Sequence, residues 1–215
     1  VIEAGRVLRT PPHSLHPPTV MHELGTFEDA RSRVLANAER MLLGVKRVIA
    51  EPVDSVEAGV ALLSSLRKQA HEHLNQIQHE QMIVRAAEWL VQHGIATTDT
   101  RWLWNPRRGA ENGGPDLLGK SGEIIRVCAE VNALEEPVGV IDAQMRRALA
   151  RLATLEGRRF YFVRTASMKR RAVTKVVKTG CDIAVVQLPP ATLGPSLAFA
   201  APITSLAASP FGTPR

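Results

Sequence analysis

Two acidic residues, Asp116 and Glu130, lie within the stretch Gly-Gly-Pro-Asp-Leu-Leu-Gly-Lys-Ser-Gly-Glu-Ile-Ile-Arg-Val-Cys-Ala-Glu-Val-Asn, residues 113–132. Its second half alternates as a strand does. Ile125, Val127, Ala129 and Val131 fall on one face, and Arg126, Cys128, Glu130 and Asn132 on the other. An acid buried at the end of so apolar a strand is costly unless it is paired or binds a cation. Asp116 follows Pro115 on the preceding strand, from which a second carboxylate can converge on the same point. Two carboxylates and a backbone carbonyl are ligands that a small hard cation such as Mg²⁺ prefers. Such an ion activates water and neutralises charge building on a phosphate. Convergence requires a bulge or bend, because a flat hairpin leaves the two acids out of register. The competing reading makes Asp116 a turn residue and Glu130 a salt-bridged strand end, partnered by Arg101 or Arg146.

The elements that must position these residues follow from periodicity and breakers. Residues 1–25, with Pro11-Pro12 and Pro17-Pro18, read as an extended arm. Helical spacing of Val34, Ala38, Met41, Leu42 and Val45 predicts a helix from Phe27 to about Ala50, stopped at Glu51-Pro52. A second helix starts on Asp54 or Ser55, and a third covers His73–His93 up to Gly94; with no breaker between them they can be one. Strands are expected at Thr98–Trp104, Asp116–Leu118, Ile124–Asn132, Phe160–Val163 and Ile183–Leu188. Helices are expected at Val140–Glu156 and from a Ser167 cap to Lys178. The order, helices and then β-β-β-α-β-α-β, implies an α/β fold: a mixed central sheet flanked by helices. The division expected is an N-terminal arm and helical extension over 1–70, a core over 71–190, and a C-terminal tail over 191–215.

The pattern Pro-Asp, a turn, then an apolar strand ending in Glu-x-Asn, followed by α-β-α-β, resembles the PD-(D/E)XK nuclease superfamily over about residues 80–188. The resemblance implies a restriction-endonuclease-like core and a metal-dependent DNA endonuclease, using Mg²⁺ with Mn²⁺ as a substitute. It makes Asp116 and Glu130 metal ligands, with the carbonyl of Val131 as a third. Asn132 stands where the family carries its catalytic lysine; an amide can orient water but brings no charge. Lys120, Arg146 or Arg147 would then supply charge from elsewhere. Many members add a glutamate from the helix before the sheet, for which Glu80, with Glu88 behind it, is the choice. Gln144, Arg147 and Arg151, at helical spacing, sit where family members contact phosphate or orient water.

Charge distribution points to a polyanion. Between Arg101 and Leu188 there are 16 Lys and Arg against 9 Asp and Glu, whereas the rest of the chain carries 11 and 12. A localised positive field suits double-stranded DNA, with Arg107, Arg108, Lys120, Arg147, Lys169, Arg170 and Arg171 as its contacts and Ser167 near a phosphate. Trp102 and Trp104 are divided between core and DNA. The alternative is the same fold with a degraded site, a non-enzymatic DNA-binding module that scaffolds or regulates; Asn132 favours it. A third is an α/β protein unrelated to nucleic acid. The N-terminal helices offer a homodimer interface or a DNA-reading element. Cys128 and Cys181 are expected as free buried thiols in a reducing cytoplasm. No apolar run reaches the ~20 residues of a membrane span, and the histidines make no zinc signature. The chain opens on Val1 without a secretory pattern, so an initiator or leader is expected upstream.

Overall fold

The computed structural model describes residues 21–106, 114–137 and 139–189. Helix α1 spans Phe27–Ile49, its first turn closed by Thr26, whose side chain accepts the Asp29 N–H. Helix α2 spans Val56–Gln92; Ser55 Oγ accepts the Ala58 N–H at 3.1 Å, and the chain turns out through Gly94 at φ +65°. The second and third predicted helices are thus one, which passes unbroken through position 70. α1 lies along α2, tied by an Arg31–Glu88 ion pair of 2.7 Å.

Six strands form one sheet in chain order: β1 (His22–Glu23), β2 (Arg101–Trp104), β3 (Leu117–Ser121), β4 (Ile124–Asn132), β5 (Arg158–Val163) and β6 (Ala184–Gln187). The pairs from β1 to β4 are antiparallel. β4–β5 and β5–β6 are parallel. Parallel neighbours need crossovers, which α3 (Val140–Ala153) and α4 (Ala166–Thr179) supply. The fold is therefore mixed α/β, with the two N-terminal helices between β1 and the other five strands. Alternation along the strands makes two cores. Val127, Ala129, Val131, Phe160 and Phe162 pack on the α2 side against Ile83, Ala87 and Leu90. Cys128, Tyr161 and Val163 pack against Met145, Leu152 and Met168 of α3 and α4.

Several expectations change. His22–Glu23, assigned to the arm, adds an edge strand, followed by a fully buried Leu24. β3 continues through Gly119-Lys120-Ser121, so the turn is Gly122-Glu123. The cap of α4 is Thr165; Ser167 Oγ donates to the Glu135 carbonyl. Trp102 and Trp104 are both buried. Cys128 is buried and Cys181 half-buried, both free, and burial pushes the Cys128 thiol up to about 11. Arg107 and Arg108, most of the arm and the tail lie outside the described residues. Among the described residues no helix is long and apolar enough to cross a membrane.

Candidate functional site

A one-residue irregularity brings the two acids together. At the tip of the β3–β4 hairpin, Ser121 pairs with Ile124 and Lys120 with Ile125; beyond it, Gly119 pairs with Val127 and Leu117 with Ala129. Arg126 is the extra residue of a β-bulge. Continued one step, the inner register sets Asp116 opposite Glu130, whereas the register of the tip would set it opposite Ala129. Directly opposed residues share a face, so the bulge decides that the carboxylates meet. It also moves Ile125 to the face of Cys128, the reverse of the uninterrupted alternation read from sequence. Gly157 permits the bulge: at φ +81°, its missing Cβ would lie 2.9 Å from the Arg126 carbonyl carbon and oxygen.

The acids face a cleft of about 220 Å³ lined from four sides. His79 comes from α2, Asn105 from the end of β2, Tyr161 from β5, and Gln144, Arg147 and Arg151 from α3. Asn105 is held there by its N–H, which donates to the Asp116 carbonyl at 2.8 Å. Past Leu117 the β3–β4 ladder ends, and Asp116 Oδ2 accepts the Val131 N–H at 2.8 Å. His79 Nε2 lies 3.3 Å from the same oxygen. Glu130 is 4% exposed; Arg151 grips its Oε1 with Nε at 2.9 Å and Nη2 at 2.7 Å. Burial, and then the Asp116 carboxylate within hydrogen-bonding reach, hold the Glu130 carboxyl well above the usual carboxylate range, with Arg151 pulling the other way. A carboxyl this dry beside a second carboxylate keeps its proton or takes a cation.

Asn132, at the end of β4, lines the cleft, but its amide is engaged. Nδ2 donates to Tyr161 Oη at 3.1 Å and Oδ1 accepts the Leu134 N–H at 3.0 Å. Arg147 lines the cleft and has no ion-pair partner among the described residues. Glu80 is not gathered in: its carboxylate accepts from Asn37 Nδ2 at 2.8 Å and Gln76 Nε2 at 3.0 Å, and the adjacent His79 takes the inward place. Glu88 pairs with Arg31 instead. Lys120 stands four residues up β3 from Asp116, roughly 13 Å away, beside Glu123 at 3.8 Å; it brings no charge to the acids. Arg171 and Lys175 both bind Asp142 of α3, at 2.7 and 2.9 Å. Their hydrogen bonds hold the Asp142 carboxyl well below its ordinary range. Lys169 and Arg170 are exposed near the start of α4. That end of α4 follows β5 directly, and Val163 pairs with Asn132, so it shares the sheet end that carries the cleft. Sequence reasoning missed His79, Asn105 and Tyr161; of these, only Tyr161 had a signal, its strand position in the only tyrosine of the chain.

The donors suit a small hard cation in kind. Asp116 and Glu130 present carboxylate oxygens whose crowding a divalent ion would relieve. Among the described residues no three His, Cys, Asp or Glu side chains cluster so as to hold a metal by themselves. Backbone, water and phosphate would complete the shell, as is usual for Mg²⁺. Fold and cleft thus define a class, a mixed α/β protein with a buried acid pair where its sheet changes from antiparallel to parallel. No family model, curated protein or solved structure matches the chain.

Proposed function

We propose that the cleft is the active site of a metal-dependent DNA endonuclease with a PD-(D/E)XK-like arrangement, acting on double-stranded DNA with Mg²⁺, or with Mn²⁺ in its place. The observation that carries this reading is the buried Asp116–Glu130 pair, aligned by the bulge and lining one cleft with two arginines. Asp116, Glu130 and the Val131 carbonyl would hold the ion, which supplies an activated water and charge neutralisation at phosphorus. The charge that Asn132 lacks comes in this reading from α3. Arg151 already reaches Glu130, and Arg147 lines the same cleft with its guanidinium outside any ion pair among the described residues. Lys169 and Arg170, at the same end of the sheet, take DNA phosphates, a sequence-independent interaction that fixes register.

A second reading, a DNA-binding module without cleavage, is favoured by two observations: Arg151 already grips Glu130, and the Asn132 amide is engaged by Tyr161 and Leu134. The separating experiment is nicking of supercoiled plasmid by purified protein with Mg²⁺ or Mn²⁺. The endonuclease reading expects nicking that Asp116→Asn and Glu130→Gln both abolish. Salt-dependent DNA binding with no nicking on varied substrates would replace it by the binding module.

A further inference from the structure

The outer part of the α1–α2 hairpin is a structural anomaly. From Arg31 to Ile49 and from Val56 to Gln78, no described side chain is buried. Two helices alone cannot cover their apolar stripes, and a hairpin this long needs a further layer. Leu35, Leu42 and Ile49 recur every seven residues along α1 and are 60%, 58% and 65% exposed. Val56, Val60 and Leu63, at spacings of four and three on α2, are 78%, 59% and 66% exposed. Helical spacing sets both rows on one side of the hairpin: Leu35 lines a groove there with Gln81, and Leu63, Leu74 and Gln81 stand eleven and seven residues apart, on one row of α2. At roughly 100 Å² apiece these six side chains present about 600 Å² of apolar surface per copy, near the ~800 Å² that each partner gives to a stable interface. Patches beyond a few hundred Å² mark interaction sites.

We propose that this surface is covered by a second copy of the chain, docked antiparallel through its own α1 on a two-fold axis at Leu42. The reason is self-complementarity, the requirement of an isologous interface. With Leu42 on the axis, Leu35 meets Ile49 of the second copy, and Glu39 falls beside its Lys46. The reciprocal pairings are identical. All five residues share one face of α1, because 35, 39, 42, 46 and 49 follow spacings of four and three. The α2 row then closes over the flank, giving a four-helix arrangement with the knobs of each hairpin in the other. No cleft residue enters this interface, so it stands or falls apart from the endonuclease reading.

Sedimentation equilibrium of the full chain tests it. The wild type is expected to be dimeric at micromolar concentration. Leu42→Glu, which sets two charges face to face on the axis, is expected to be monomeric throughout, with an unchanged circular dichroism spectrum. Glu39→Lys alone should raise the dimer Kd about tenfold or more by opposing like charges, and Glu39→Lys with Lys46→Glu should restore it, a result that loss of folding cannot mimic. A wild type that stays monomeric up to hundreds of micromolar overturns the proposal. So does a dimer that survives Leu42→Glu, or one that the double exchange fails to restore.

Discussion

Replacing Asp116 separates its structural role from its chemical one. Its Oδ2 accepts the Val131 N–H at 2.8 Å and lies 3.3 Å from the 2%-exposed His79. Asp116→Ala leaves that buried N–H without an acceptor, at a cost of about 1–3 kcal/mol. For a chain of this size, 1 kcal/mol is ~2–4 °C in melting temperature, so the expected drop is about 2–12 °C. Loss of a negative charge beside Glu130 relieves repulsion and offsets part of it. Asp116→Asn keeps an oxygen for Val131 and should stay within about 1 kcal/mol of wild type. Cleavage behaves differently: both variants remove the charge, and both should fall by two to three decades or more. Melting curves and plasmid nicking on the same preparations give the comparison. An Asp116→Asn protein that nicks like wild type would refute the metal-ligand role, and an Asp116→Ala protein that melts like wild type would refute the buried hydrogen bond.

Other outcomes follow from the same geometry. Because the native Glu130 carboxyl is raised, the folded state binds more protons than the unfolded one between the ordinary carboxylate pKa and the raised value. Its stabilising contribution is therefore complete at acid pH and is lost as pH rises through that raised value. Glu130→Gln should remove this dependence, and a wild-type-minus-variant difference that is flat with pH in chemical denaturation would count against it. Mg²⁺ at ten times its Kd should stabilise the wild type by about 1.4 kcal/mol and leave Asp116→Asn unmoved; equal shifts in both would place the ion elsewhere. Lys169→Glu with Arg170→Glu should weaken DNA binding and flatten its salt dependence by roughly 0.9 for each phosphate no longer neutralised. Binding titrations that show no change of slope would free α4 of that role. Gly157→Ala should destabilise the chain and, through Arg126, the acid pair; unchanged melting would mean that the bulge gives way cheaply.

Much of the fold was legible because its signals are local. The cap at Ser55, the stop at Glu51-Pro52 and the apolar alternation of β4 each depend on neighbours in the chain. The carboxylates were legible too, since an acid in so apolar a strand demands an explanation. What sequence could not supply is rotation and offset. His79 and Glu80 are adjacent, and about 100° of helical turn separates their side chains; only packing of Ile83, Ala87 and Leu90 on the sheet settles which one faces inward. Lys120 was close to the site in sequence but not in space, because the hairpin carries it away from Asp116. The ion pair of Arg171 with Asp142, twenty-nine residues earlier, is likewise a contact that no local pattern shows. β1 has two residues, and its pairing is a matter of backbone at a sheet edge, without a side-chain pattern to read.

The bulge at Arg126 also makes the β3–β4 hairpin behave as two modules with a joint between them. On the inner side, pairing is held by burial, by Gly157 against the Arg126 backbone, and by Trp102, which lies so close over Gly119 that a Cβ there would sit 2.8 Å from the ring. On the outer side, Gly122 has open space around it, Glu123 is 93% exposed at its side chain and Ile124 is 58% exposed. Length added between Gly122 and Glu123 can therefore loop out without being passed down the strands to Asp116 and Glu130. The tip is a natural port for a grafted peptide or an affinity tag, on a chain whose termini both lie outside the described residues.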